Sequence, residues 1–233
     1  MNGLILAAGF GTRLGKYNAN LPKPLLDISG VPLLETNIEK MRKIGVSKIY
    51  VNGHYKSEKI REFLNKKYGD TDLINFIYEP EILGTAGTIQ KLIINQSINE
   101  LVVMHGDNYF QDNLFNMIDK FRTLEKQFFG VVGTFKTQQP QECGIFEIVS
   151  GKIINVYEKS QNFHGNIANS AIYILGKEAL KVISNLKTRN NDLSIHFLQI
   201  YFNKLKPIPL EGYFIDIGSP ENLKFARSLK KFD

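Results

Sequence analysis

A buried strand that runs straight into a glycine loop is the feature that most narrows what this chain can fold into. Leu4-Ile5-Leu6-Ala7 is apolar and unbroken, and Ala8-Gly9-Phe10-Gly11-Thr12-Arg13 follows at once. A short apolar run closed by glycine predicts a strand buried on both faces. The small residues after it leave successive backbone N–H groups bare, so an anion can come close where bulky side chains would block it. Arg13 closes the loop, and Lys23 follows within Leu21-Pro22-Lys23-Pro24-Leu25. The flanking prolines fix the backbone around Lys23 and aim its ammonium at little entropic cost. Two cations beside a loop of bare amides suit a polyphosphate.

A dinucleotide fold is the first alternative. Gly9-Phe10-Gly11 begins that fingerprint, but Leu14 stands where a third small residue belongs, and Asp27 lies beyond the Pro-Lys-Pro bend. Ala-Ala-Gly-Phe-Gly-Thr-Arg-Leu followed by Pro-Lys-Pro-Leu at this spacing instead resembles the signature of the sugar-1-phosphate nucleotidyltransferases, the NDP-sugar pyrophosphorylases.

Composition sets the outer limits. With 233 residues the chain suits one large α/β domain better than two small ones, and 43% hydrophobic with 22% charged residues is ordinary for a soluble enzyme. No apolar run is long enough to span a membrane, and the first strand begins without a basic leader, which argues against a signal peptide. The single cysteine, Cys143, has no internal partner, so a cytoplasmic setting is expected. The net charge of +6 is spread among acids, as in Glu39-Lys40, and the densest basic run, Arg227-Ser228-Leu229-Lys230-Lys231, lacks interleaved aromatics. Neither a nucleic acid nor a membrane is therefore expected as a partner, whereas a modest positive excess attracts polyphosphates.

Along the chain, apolar spacing predicts helices over 35–44 and 57–68, the second capped by Ser57, and strands over 48–51 and 73–78. Strands alternating with helices predict a mostly parallel sheet covered on both faces, with ligands beyond the carboxyl ends of its strands. After the third strand, Glu79 leads into Gly84-Thr85-Ala86-Gly87 and a helix from Thr88, leaving bare backbone on which a flat purine can lie. Leu101 to Met104 reads as a central strand running into His105-Gly106-Asp107. An acid at that place suits a hard cation bridging phosphates, whereas His54, His105, His164 and His196 show no metal-ligand spacing. A helix over 114–126 and a strand over 128–135 follow. An antiparallel hairpin is then expected from 144–148 and 152–156 around Ser150-Gly151, and a strand over 167–175. Asp216 follows the apolar run Phe214-Ile215 and precedes the turn Gly218-Ser219-Pro220 and a further helix, which makes it a second candidate metal ligand.

These segments fall in the order of the nucleotidyltransferase family over nearly the whole chain, and Leu83-Gly84-Thr85-Ala86-Gly87 is similar to the mannose-1-phosphate guanylyltransferase kind. The resemblance implies a doubly wound, mostly parallel α/β sheet of the glycosyltransferase-A (Rossmann-like) type with an antiparallel sugar-side subdomain. It divides one domain into a nucleotide half (1–135), a sugar-phosphate half (136–215) and a C-terminal helix (216–233). The implied reaction joins an NTP, with GTP favoured, to a mannose- or heptose-like sugar 1-phosphate with Mg²⁺, giving an NDP-sugar and pyrophosphate. Carried over residue by residue, Leu6, Ala7, Ala8, Gly9, Gly11, Thr12, Glu79, Gly84 and Thr85 would contact the nucleotide. Arg13 and Lys23 would be the catalytic cations, and Asp107 with Asp216 the metal ligands. Gly144, Glu158, Lys159 and Asn169 would hold the sugar phosphate.

This chain departs from the family at Gly15-Lys16-Tyr17-Asn18, where Arg-Pro-Leu-Thr is usual, and at Ser160, where proline is common. Neither change removes a charged group. A cytidylyl- or uridylyltransferase acting on phosphocholine or an amino-sugar 1-phosphate stays open, as do a non-catalytic nucleotide-binding module and a homodimeric assembly. A glycosyltransferase of the same fold would want Asp-x-Asp, which Gly106-Asp107-Asn108 does not supply.

Overall fold

The computed structural model describes residues 1–69, 71–187 and 191–229, with all their side chains except those of Lys16 and Asn18. Lys230 and Lys231 of the basic run, and the end of the expected C-terminal segment, lie outside the described residues. Strand β1 (Asn2–Leu6) is followed by short strands β2 (Asp27–Ile28) and β3 (Val31–Pro32), helix α1 (Leu33–Lys43), β4 (Lys48–Gly53), α2 (Ser57–Tyr68) and β5 (Ile74–Tyr78). Then come α3 (Thr85–Asn95), β6 (Leu101–His105), β7 (Asn108–Phe110), α4 (Phe115–Arg122), β8 (Gly130–Lys136), β9 (Gly144–Val149), β10 (Lys152–Glu158) and β11 (Ile167–Leu175). The chain closes with α5 (Lys177–Ser184), a single turn α6 (Gln199–Tyr201), β12 (Leu205–Pro209), β13 (Phe214–Asp216) and α7 (Pro220–Ser228).

Two units interleave along the sequence. The first holds Met1–Ile82, Met104–Asn113 and the described residues from Gly212 onward. In it β1, β4 and β5 lie side by side and parallel, with Leu4 opposite Tyr50 and Val51 opposite Phe76. Leu4, Ile5, Ile49 and Val51 are buried, as strands covered on both faces require. On α1, Leu34, Ile38 and Met41 form the apolar stripe, and Gly45 in the left-handed region (φ 78°) ends it with an N–H bond to Arg42. Burying each such side chain stabilises the fold by roughly 1.5–3 kcal/mol. β7 and β13 form a separate antiparallel ribbon, with Asn108 opposite Asp216 and the rings of Phe110 and Phe214 stacked at 6.5 Å. Beneath it, Leu14, Leu26, Ile28 and Leu33 pack with Ile215, Ile217, Leu223 and Ala226.

The second unit holds Leu83–Val103 and Leu114–Glu211 and is built on β11. This strand pairs antiparallel with β6, β8 and β9, and β12 adds parallel to β8. The β9–β10 hairpin turns at Ser150 and Gly151, both at positive φ, which matches the twist of the flanking strands. Together these elements make the expected α/β fold, a parallel Rossmann-like sheet flanked by helices with antiparallel strands added. Among the described residues, no helix is long and apolar enough to cross a membrane.

Several boundaries differ from the sequence expectation. α3 starts at Thr85 rather than Thr88 because the amides of Ala86 and Gly87 donate to the Asn191 carbonyl at 2.8 and 3.1 Å, a cap supplied from far along the chain. Ser57 is the first helical residue of α2 rather than its cap, and Lys56 (φ 50°) takes the cap position without a side-chain capping bond. α4 stops at Arg122, where the Thr123 hydroxyl donates to the Asp119 carbonyl at 2.9 Å. The ribbon β7–β13, strand β12 and helix α5 have no counterpart in the sequence reading.

Candidate active site

In the first unit the loop after β1 is held from beneath by a buried polar chain. Asn52, at the end of β4, accepts the Ala7 N–H at 2.6 Å and donates to Glu79 Oε1 at 3.0 Å. Both Asn52 and Glu79 are buried, and His54 Nδ1 lies 2.8 Å from the Glu79 carbonyl oxygen. Glu79 thus reaches the loop through Asn52. Ala7 is buried, Leu6 and Ala8 are half-buried, and Gly9 and Thr12 are exposed. The Leu6 carbonyl accepts the Gly106 N–H at 2.8 Å, and the Gly11 carbonyl accepts that of Leu14 at 3.1 Å. The short turn Thr12–Asn18 kinks at Gly15, within the segment that departs from the family pattern.

Two ion pairs sit at the ends of the neighbouring elements. Lys23 opens a turn bracketed by Pro22 and Pro24, is itself buried, and places Nζ 3.0 Å from Asp107 Oδ2. Arg13 Nη2 lies 3.6 Å from Asp216 Oδ2, with both side chains about half exposed. The two acids are joined by backbone, since Ile217 N–H donates to the Asp107 carbonyl at 3.0 Å. Asp216 Oδ1 accepts the Gly218 N–H at 2.8 Å. A Cβ on Gly218 would stand 2.7 Å from Arg13 Nη2 and 2.9 Å from Asp216 Oδ1, so the pair needs glycine there. Ser219 then caps α7 through Asn222 N–H, with Pro220 in its first turn.

Burial, then the negative charge of Asp107, push the Asp216 carboxyl above its usual range, against the pull of Lys23 and Arg13. Two carboxylates that repel one another suit a divalent cation, which removes that repulsion. A Mg²⁺ ion is commonly held by one or two carboxylates with substrate phosphate oxygens completing its shell. Asp107 and Asp216 fit that pattern, and no cluster of three or more potential ligand side chains exists among the described residues.

In the second unit, Gly144 and Glu158 are cross-strand partners on β9 and β10. A Cβ on Gly144 would lie 2.7 Å from Glu158 Oε2 and 3.9 Å from Asn169 Cβ, so a bare backbone, an acid and an amide share one place. Burial raises the Glu158 carboxyl above its usual range, with Lys159 opposing and Asp192 adding to the shift. Lys159 adopts φ 47°, a conformation that costs a non-glycine residue about 1 kcal/mol or more, and its N–H donates to Cys143 at 3.1 Å. Asn169 sits where β11 loses register with β8. It donates to the Tyr173 hydroxyl at 2.7 Å and accepts the Ala171 N–H at 2.9 Å. Gly84 caps α3, and the Thr85 hydroxyl donates to Asp192 Oδ2 at 3.3 Å while accepting Leu193 N–H at 2.6 Å.

The structure therefore gathers Arg13, Lys23, Asp107 and Asp216 in one unit, and Gly144, Glu158, Lys159 and Asn169 in the other. The sequence reading missed Asn52 and Asp192. A polar residue ending a buried strand was the available signal for Asn52, whereas Asp192 gave none, because its partners Thr85 and Glu158 are distant in sequence.

The profile of the family described as "Nucleotidyl transferase" matches residues 2–229. The "Bifunctional protein GlmU" of Methanococcus vannielii is 31% identical over 239 residues, covering 98% of this chain and 54% of its own, so the chain spans about half the length of that relative. The "Mannose-1-phosphate guanyltransferase" of Kluyveromyces lactis is 30% identical over 100% of this chain and 67% of its own. Among solved structures, HddC from Yersinia pseudotuberculosis complexed with GMP-PN aligns with a TM-score of 0.79 at 29% identity, covering 97% of each chain. On the extent of the family match, this chain belongs to the nucleotidyl transferase family.

Proposed function

We propose that the protein joins an NTP to a sugar 1-phosphate, releasing pyrophosphate and forming an NDP-sugar. The observation that carries this reading is the double ion pair, Lys23 with Asp107 at 3.0 Å and Arg13 with Asp216 at 3.6 Å, beside a loop of small residues. Each side chain has the charge that a nucleotide, its metal and a leaving pyrophosphate require.

The attacking oxygen belongs to a phosphate monoester that is already anionic, so no general base is needed. Catalysis then rests on alignment and charge neutralisation. Lys23 holds the α-phosphate, and Arg13 holds the β- and γ-phosphates that leave. The amides from Ala8 to Thr12 line the triphosphate, on a loop anchored by the bond from the Ala7 N–H to Asn52. Gly84 and Thr85 border the nucleoside. On the other substrate, Lys159 neutralises the attacking phosphate, while Glu158, Asn169 and the bare backbone of Gly144 take the ring hydroxyls. Asp107 and Asp216 would hold Mg²⁺, which when bound would supply the charge that offsets repulsion between two anionic reactants.

GTP with a mannose- or heptose-like 1-phosphate is the favoured pair. It is supported by the guanyltransferase relative, which spans this whole chain, and by the solved relative complexed with GMP-PN. Pyrophosphate release from four NTPs crossed with several sugar 1-phosphates tests the reading. The expected outcome is turnover with GTP, and turnover with UTP or CTP alone would move the specificity to the alternatives named above. Lys23→Ala and Asp216→Ala should each stay folded and lose about 10²–10³ in rate. Near wild-type turnover in either variant, or no pyrophosphate from any pair, overturns the assignment.

A further inference from the structure

Both acids of the candidate metal site hang on the β7–β13 ribbon. Asp107 immediately precedes β7, Asp216 ends β13, and Asn108 and Asp216 are register partners. Strands of three residues cannot hold a carboxylate steady by their own ladder bonds, so something must fix β7 from outside. Helix α1 does so with two side chains three residues apart, on one face of the helix. Asn37, fully buried, donates from Nδ2 to the Asn108 carbonyl at 3.3 Å. Lys40 donates from Nζ to the carbonyls of Gln111 at 3.2 Å and Asp112 at 2.7 Å, and stands 4.7 Å from the centre of the Phe110 ring.

We propose that Asn37 and Lys40 are positioning residues for divalent-cation binding, acting through β7 to fix Asp107 and, across the ribbon, Asp216. The proposal rests on the nucleotidyl-transfer reading for the identity of its ligand. Neither side chain touches either acid in the contacts just described. What they hold is the backbone on which the acids are mounted. An ammonium spent on two carbonyls and a ring face, with no carboxylate among these hydrogen-bond acceptors, is costly to desolvate. Burial accordingly lowers Lys40 to about 8, with Asp112 opposing the shift and Lys43 adding to it. A solvated lysine on a helix surface would keep its charge in water at no such cost.

The test compares Lys40→Met and Asn37→Ser with the wild-type chain, each first checked for cooperative melting. Lys40→Met keeps an unbranched aliphatic side chain and removes the donors, and Lys40→Arg returns them. The Mg²⁺ concentration for half-maximal pyrophosphate release should rise about tenfold in Lys40→Met, the size expected when an outer partner of a metal ligand is lost. It should move in the same direction in Asn37→Ser and recover in Lys40→Arg, while the KM for sugar 1-phosphate stays within about twofold of wild type. A purely structural role would lower the melting temperature without separating these two constants. Unchanged Mg²⁺ half-saturation in a folded Lys40→Met, or an equal rise in both constants, overturns the proposal. If the wild type releases no pyrophosphate from any pair, the functional reading fails instead, and Mn²⁺ titration followed by electron paramagnetic resonance decides the clamp. Tighter Mn²⁺ binding by wild type than by the variants keeps it, and superimposable curves remove it.

Discussion

The surroundings of Asp216 raise its carboxyl above the ordinary range, and this sets a stability cost against the metal-binding role proposed for it. Its carboxyl lies above the ordinary range because it is desolvated beside Asp107. A folded-state pKa above the unfolded value means that the native state binds the proton more tightly. Stability therefore falls as pH rises from the ordinary carboxylate value through the raised one. Above that window the ionised group works against the fold unless a cation joins it. Asp216→Asn, which can still accept the Gly218 N–H, should then melt at or above the wild-type temperature at neutral pH without added metal, and should lose the rise that Mg²⁺ gives the wild type. Differential scanning calorimetry with and without Mg²⁺ checks both halves. A large fall in the melting temperature of the metal-free variant would mean that the pair with Arg13 outweighs the repulsion.

At the scale of elements, the sequence was legible where one segment carries its own signal. α2 and β11 have the expected limits because their apolar periods run their full length, and the β9–β10 turn was readable because Ser-Gly suits two positive-φ positions. The candidate site was legible in its charged residues because motif spacing, not packing, marks them. What escaped depends on partners distant along the chain. The β7–β13 ribbon is built of three-residue strands too short to show alternation, and the early start of α3 depends on a carbonyl about a hundred positions downstream. Asn191 is itself fixed by donating to Gln90 Oε1 at 2.7 Å, a residue on the helix it caps. Asn191→Ala should loosen that cap, costing about 1 kcal/mol, the usual worth of a helix N-cap. Amide hydrogen exchange should speed up at Ala86 and Gly87 while the core of β11 stays protected. Unchanged protection at both amides would show that the carbonyl keeps its place without the side chain.

Over the whole molecule, the chain leaves and re-enters each unit, and the first unit is assembled from three separated pieces. Its core makes this interdependence concrete, since Ile215, Ile217, Leu223 and Ala226 pack directly with Leu14, Leu26, Ile28 and Leu33. Removing everything after residue 211 should therefore do more than delete Asp216. It strips half of that cluster, and the truncated protein should lose cooperative melting and bind hydrophobic dye. A sharp transition near the wild-type temperature would show that the remaining pieces fold unaided. The ribbon also imposes an order in time. A ribosome delivers the glycine loop first and the strand that completes the acid pair among the last, so the amides proposed to hold an anion would be presented long before the acids proposed to clasp a cation beside them. On the proposed reading, newly made protein would become competent only once translation has passed the second aspartate, and no earlier fragment should consume nucleotide.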